Sequence, residues 1–337
     1  MTDAAIGAPT VTTQEGAHTR RMLAILWAIL LIFPLIAPNN YIINLAVFFF
    51  INLILIASLN LVIGYCGQIS LCHGAFFGLG AYASGVLAAK FDVSPWLGAV
   101  VAMGMTGFSA LLIGLPALRL RGHYLAMATL GFNAIMTVLF NEMISLTGGP
   151  NGLTGVPPFS LFGVDIVTDT TFFYFAWVVT GVLMLLIYNL IDSRFGRGMR
   201  TLATSEIAAS SLGIDSFRYK LIVFVASALM AGIAGSMYVH FINFASPETF
   251  SFFTSVFLVV MVAVGGWGNY WGPVFGALIY TAVPELLRAF KDLEIFVFGL
   301  SMVLVLLFFP DGVVGGIRLA KGWILRAYTP KAGDAGR

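Results

Sequence analysis

The chain has 337 residues, 59% hydrophobic and 9% charged, with a mean hydropathy of +0.96; a soluble domain carries about 25% charged residues, so a soluble fold is excluded. A net charge of +2 is too small to point to nucleic acid. Between Arg21 and Lys90 there is no Asp, Glu, Lys or Arg, a stretch far longer than the roughly 20 apolar residues that one bilayer crossing needs. The apolar runs are continuous and lack the alternation of outer-membrane strands, so the expected fold is an all-α integral membrane protein.

In chain order, residues 1–21 read as a cytoplasmic tail in which Arg20 and Arg21 hold that end at the membrane surface, with no small-x-small cleavage site before Pro38. Residues 22–318 form the transmembrane domain and 319–337 a second cytoplasmic tail. Hydropathy and breakers place about ten spans at 22–38, 41–63, 69–89, 95–117, 123–145, 171–191, 220–242, 250–266, 271–289 and 294–310. The positive-inside rule tests that count. Arg20, Arg21, Arg119, Arg121, Arg194, Arg197, Arg200, Arg218, Lys220, Arg318, Lys321, Arg326 and Lys331 all fall on one side; Asp165, Asp169 and Glu248 fall on the other, with the mixed groups Lys90/Asp92 and Arg288/Lys291/Asp292/Glu294. Both termini are therefore expected in the cytoplasm.

Two segments each place a glycine cluster before a G-x-x-x-G helix. In GYCGQISLCHGAFFGLGAY (Gly64 to Tyr82) the glycines include Gly67, with Gly74 and Gly78 four apart; in GGWGNYWGPVFGALIY (Gly265 to Tyr280) Gly265, Gly266 and Gly268 precede Gly272 and Gly276. Small residues at that spacing let helices touch, and the upstream glycines permit a broken or re-entrant segment at membrane depth. Two readings stand side by side: tight packing alone, or a pair of broken helices lining a translocation path.

Enzymatic signatures are missing. There is no G-x-S-x-G, no H-E-x-x-H and no run of metal ligands, and no Gly-Lys pair from which a phosphate-binding Walker loop could be made. Cys66 and Cys72 read as buried structural cysteines, and His73 and His123 as hydrogen-bonding residues at cytoplasmic span ends. Glu142, Glu248 and Glu285 fall near span ends facing outside, which argues against proton coupling through buried acids.

The segment 192–220 carries eight charged side chains in under a tenth of the chain. Within it Thr204 and Ser205 are the capping candidates for a short helix, Glu206 suits its N-terminal end, Ala208 and Ala209 favour helix while leaving a low surface, and Gly213 can close it in a left-handed conformation. A short smooth helix on a cytoplasmic loop suits docking into a groove on another protein.

SEIAASSLGIDSFRYKLIVFVASALMAGIAGSMY (Ser205 to Tyr238) resembles the coupling-loop region of binding-protein-dependent ABC importer permeases, in particular the second, M-type permease of the high-affinity branched-chain amino acid systems. Ala208, Ala209 and Gly213 match the spacing of that family's Glu-Ala-Ala, three residues, Gly pattern; Glu206 stands one residue early, with Ile207 between. GQISLCHGAFFGLGAY (Gly67 to Tyr82), RLRGHYLAMATLGF (Arg119 to Phe132), TGGPNGLTGVP (Thr147 to Pro157), GGWGNYWGPVFGA (Gly265 to Ala277) and FFPDGVVG (Phe308 to Gly315) are similar to its other recurrent segments, in the same order, although Cys72 stands where glycine is common.

The resemblance implies a permease subunit in a bacterial inner membrane, without a cofactor of its own. It implies a second permease subunit, two cytoplasmic ATP-binding subunits that consume the ATP and dock at Glu206, Ala208, Ala209 and Gly213, and a soluble binding protein outside. The outer loop with Thr147, Gly148, Gly149, Asn151 and Gly152 is the expected surface for that binding protein. Branched-chain or related amino acids are the implied cargo, with urea, short amides and aromatic or other carboxylates as the range within the family. A self-sufficient secondary carrier or channel is the reading of a different class.

Overall fold

The computed structural model describes residues 13–287, apart from 121, 162, 163 and 167, and eight further positions between 299 and 316. The tails 1–12 and 319–337 and most of the expected last span, 294–310, lie outside the described residues. The helices are α1 (Thr13–Ile36), α2 (Asn40–Asn60, continued by a π-helical turn Leu61–Tyr65), α3 (His73–Phe91), α4 (Pro95–Ala117), α5 (His123–Glu142), α6 (Ile144–Thr147), α7 (Asp169–Asp192), α8 (Arg194–Thr204), α9 (Glu206–Ser211), α10 (Ser216–Ile242), α11 (Phe252–Gly265) and α12 (Gly272–Leu287). Short strands β1 (Leu153–Thr154), β2 (Ser160–Leu161), β3 (Val164–Asp165) and β4 (Phe244–Ala245) pair antiparallel as β1 with β4 and β2 with β3.

Among the described residues six helices are long and apolar enough to cross a membrane: α2 with its π turn, α3, α4, α5, α7 and α10. The span expected at 250–266 is a shorter apolar helix, Phe252–Gly265, while residues 22–36 of the span expected at 22–38 lie within the 24-residue α1. Fourteen residues rise about 21 Å, well under a hydrocarbon core of about 30 Å, so α11 is a part-span element. α12 carries Pro284 inside it. The span expected at 69–89 begins later than its hydropathy suggests, because residues 66–72 leave the helix after Tyr65 and helix resumes only at His73.

Local chemistry accounts for the helix ends. Pro95 opens α4, where its missing N–H costs nothing. Asp92 (φ 51°) ends α3 and Asn243 (φ 59°) ends α10 in the left-handed region. Ser193 accepts from the Gly196 amide at the start of α8, and Asp215 accepts from the Arg218 amide at the start of α10.

α2, α3 and α10 make the interior. The crossing of α3 and α10 is closed by Gly80, Gly232 and Gly235: a Cβ on Gly80 would overlap the Gly232 backbone, and one on Gly235 would overlap the Phe77 carbonyl. The outward faces of α4 and α5 carry Val100, Phe108, Leu112, Tyr124, Met127 and Ile135, all largely exposed, as a lipid- or subunit-facing surface requires.

The two ends of the molecule differ in charge. At one end the loops after α2, α4, α7 and α11 meet: Gly64 packs on Gly268, Gly67 on Ala203, and the Arg119 guanidinium lies 5.9 Å from the Phe217 ring. At the other end Lys90 Nζ donates to the Ser145 carbonyl, Trp96 Nε1 to the Ser160 carbonyl and Asn243 Nδ2 to the Val156 carbonyl. Arg119, Arg194, Arg197, Arg200, Arg218 and Lys220 lie toward the first end; Asp165, Asp169 and Glu248 lie toward the second, the separation that the charge pattern requires. Trp27 meets Trp177 while Phe33 meets Phe173, so α1 runs antiparallel to α7 and its N-terminal end lies with the basic loops.

Candidate coupling loop and translocation cavity

α8 and α9 form the longest excursion at the basic end among the described residues. Ser205, and not Thr204, caps α9: its hydroxyl accepts from the Ala208 amide at 3.3 Å, while the Thr204 hydroxyl donates back to the Arg200 carbonyl within α8. Gly213 (φ 77°) closes α9 in the left-handed region, and the Ile214 amide donates to the Ala209 carbonyl. The two alanines differ. Ala209 is fully buried against the protein, whereas Ala208 is exposed, flanked by Ile207 at 82% and Leu212 at 72% exposure. α9 therefore offers an apolar, unpartnered face built from Ile207, Ala208 and Leu212.

The loop is fastened to two helices at once. Glu206 forms an ion pair with Lys220 in the first turns of α10, where the lysine side chain is 11% exposed. The Arg200 guanidinium lies 5.7 Å from the Tyr65 ring at the end of α2, and Gly67 (φ 68°) packs on the Ala203 backbone. Between these attachments sits Cys66, whose thiol is pushed up to about 12 by burial; nearby Lys220 opposes that shift and Glu206 adds to it.

The two glycine clusters meet. A Cβ on Gly64 would overlap the Gly268 amide nitrogen, and Asn60 bridges the pair: its Nδ2 donates to the Asn269 carbonyl at 3.0 Å, and its Oδ1 accepts from the Gly268 amide at 3.1 Å. Gly67, Gly266 (φ 117°) and Gly268 (φ 61°) are the true breaks, each at positive φ outside a helix. Gly265 packs on Gly272, and Gly276 on the Met261 carbonyl, closing α11 against α12. Gly74 and Gly78 pack against the turn Pro247–Phe250 and the start of α11.

Near Gly74 lies a buried polar cluster that sequence reasoning missed. The Gly74 amide donates to Ser255 Oγ at 2.8 Å, Asn133 Nδ2 donates to the same oxygen and to the Leu71 carbonyl, and the Leu71 amide donates to Thr129 Oγ1. These bonds satisfy the non-helical backbone before α3, which a low-dielectric setting demands. His73 is fully buried and hydrogen-bonded to Ser58 at 2.8 Å, which corrects its expected interfacial setting; His123 is exposed. Hydroxyl and amide side chains inside apolar spans were the available signal.

A cavity of about 310 Å³ lies beside the middle of α2, lined there by Phe48, Ile51, Asn52 and Leu55 and from α3 by Phe77. Its other wall is Tyr238 of α10, Thr249, Thr254 and Leu258 around the start of α11, and Tyr280 of α12. None of the eight glycines expected to mark a path or break lines it. They shape the helices around it: the Phe250 ring, held against Gly78, packs on Phe77 and Tyr238.

At the acidic end, Gly148, Gly149 and Gly152 all adopt positive φ (81°, 61° and 78°). The Thr147 hydroxyl donates to the Phe140 carbonyl and accepts from the Gly149 amide. Thr147, Gly149 and Gly152 are buried and Gly148 half-buried, so within the expected partner-facing set only Asn151 is exposed. The others build the turn, and Pro150, Thr154 and Gly155 complete its outer face. Among the described residues no group of three or more His, Cys, Asp or Glu side chains could hold a metal ion.

Residues 41–306 match the family model described as the permease component of branched-chain amino acid transport systems. The chain is 33% identical over 295 residues to the high-affinity branched-chain amino acid transport system permease protein LivM of Escherichia coli K12, covering 81% of this chain and 69% of that protein. It is 28% identical to LivH of Salmonella typhimurium LT2 over 76% of this chain and 88% of the relative, and 24% identical to a probable LivM of Methanocaldococcus jannaschii over 64% and 67%. No solved structure matches the chain.

Proposed function

Because the chain belongs to the branched-chain amino acid transport permease family, we propose that it is the membrane-spanning permease subunit of an ABC importer for branched-chain amino acids, working in the cytoplasmic membrane beside a second permease subunit. The basic end faces the cytoplasm, with the chain's termini, and the acidic end faces the binding protein. Two separate ATP-binding subunits supply the energy by docking on α9.

The observation that carries this reading is the double attachment of the α8–α9 loop. Through Tyr65 and Gly67 it holds the end of α2, and through Lys220 the start of α10; both helices line the cavity beside the middle of α2. Movement of an ATP-binding subunit seated on Ile207, Ala208 and Leu212 is thereby delivered to opposite walls of that cavity, as alternating access needs.

The test is purification of the tagged chain from its native membranes in mild detergent, followed by reconstitution of everything that accompanies it. Two ATP-binding subunits, a second permease and ATP-dependent leucine uptake with the cognate binding protein are expected. A chain that purifies alone and moves solute down an ion gradient would overturn the proposal.

A further inference from the structure

We propose that the mid-membrane cavity is a solute site that reads the size of an aliphatic side chain, so that the permease, and not only its binding protein, sets selectivity. The inference rests on the reading of the chain as a branched-chain amino acid permease and adds to it the place where the cargo is recognised.

Three observations carry it. First, position: Phe48, Ile51 and Leu55 occupy the middle of the 26-residue Asn40–Tyr65 span, far from either end, where transporters hold their cargo. Second, size: about 310 Å³ is at the lower end of the roughly 300–1,000 Å³ of small-molecule sites, which suits a single amino acid better than a peptide.

Third, the chemistry is divided between the walls. α2 and α3 supply Phe48, Ile51, Leu55 and Phe77, an apolar surface for a branched side chain. Asn52 is the polar member of that wall; one of its two amide N–H groups is given to Thr281 Oγ1 at 3.1 Å, which leaves the second N–H to donate and the carbonyl oxygen to accept. The opposite wall brings the hydroxyls of Tyr238 and Thr249, hydrogen-bonded to each other, and of Tyr280, neutral groups whose remaining capacity can hydrogen-bond a carboxylate or an ammonium without capturing it. No lining residue among those described is charged. A solute with a charged side chain would be desolvated there without a counter-ion, a cost that a leucine or valine side chain avoids.

The experiment holds the binding protein constant and varies the permease in the reconstituted complex, reading the ratio of leucine to valine uptake. Ile51→Trp advances the apolar wall and is expected to lower leucine flux more than valine flux, changing the ratio by roughly tenfold, the selectivity of one methylene in an apolar pocket. Leu258→Ala withdraws the opposite wall and should move the ratio the other way. Co-purification of the ATP-binding subunits checks assembly, and if Ile51→Trp does not assemble, Leu258→Ala alone decides. Active variants whose ratio stays within about twofold of the parent would overturn the site while leaving the importer reading intact. A parent complex that moves neither amino acid removes both.

Discussion

Gly64 and Gly268 stand backbone to backbone where two interrupted helices meet: a Cβ on Gly268 would lie 2.7 Å from the Gly64 carbonyl oxygen, and one on Gly64 would overlap the Gly268 amide. Asn60, 2% exposed, spans the junction with one donor and one acceptor. Gly64→Ala is expected to destabilise the purified protein by about 1–3 kcal/mol through overpacking against backbone that cannot swing aside. Asn60→Leu should cost a similar roughly 1–3 kcal/mol by stranding the Gly268 amide and the Asn269 carbonyl. Gly104→Ala is the control, since nothing lies within 4 Å of the added methyl. Thermal unfolding in detergent, followed by loss of the monodisperse species, checks all three; equal midpoints would refute the junction's importance.

The Glu206–Lys220 pair makes a second prediction. The lysine is nearly buried, whereas the glutamate side chain is 35% exposed, so solvent weakens the attraction and a coupling of about 1–2 kcal/mol is expected, below that of a fully buried pair. Glu206→Gln leaves Lys220 without this partner and should loosen the loop, lowering leucine-dependent ATP hydrolysis by the complex. Glu206→Gln with Lys220→Met should be more stable than the sum of the two single losses. A strictly additive double variant would show that the pair is incidental.

Much of this arrangement was legible in the sequence where local rules operate. Charge asymmetry sorted the loops to two ends, Ser205 and Gly213 marked a six-residue helix, and the glycine clusters located the breaks at Gly67, Gly266 and Gly268. Tertiary relationships were not legible. Nothing local says that Gly64 meets Gly268, because a glycine's partner lies more than 200 positions away and leaves no periodic trace. The cavity was hidden for a related reason: Phe48, Ile51 and Leu55 sit in a span apolar all round, where the helical period that would separate an inner from an outer face vanishes. Hydropathy measures apolarity and not helix length, so the run 250–266 reads as a full span although its helix covers only Phe252–Gly265.

Ala208 and Ala209 are adjacent, yet one is exposed and the other buried, so under the proposed function they separate docking from folding. Ala208 is exposed beside Ile207, so Ala208→Glu or Ile207→Asp should weaken capture of the ATP-binding subunits by about 2 kcal/mol or more, roughly thirtyfold in affinity, without moving the unfolding midpoint. Ala209 is fully buried, so Ala209→Glu should lower the midpoint as well, because a carboxylate is forced into a packed site. Quantitative co-purification beside thermal unfolding distinguishes them. If all three variants retain the ATP-binding subunits, α9 is not their seat.

Cys66 reports on the same loop. With its thiol pushed up to about 12 by burial, the thiolate is far scarcer at pH 8 than in an unperturbed cysteine. In a Cys72→Ala background, maleimide labelling of the folded protein should therefore be very slow at pH 8 and rise about tenfold per pH unit as the thiolate fraction grows. Glu206 raises the thiol's pKa and Lys220 lowers it. Glu206→Gln removes the raising charge and loosens the cover over Cys66, so both effects act in one direction and labelling at pH 8 should accelerate. The comparison is made with intact complexes, with and without ATP. If labelling is fast and insensitive to Glu206→Gln, the loop does not shield Cys66, and the attachment of the α8–α9 loop to the end of α2 would have to be abandoned.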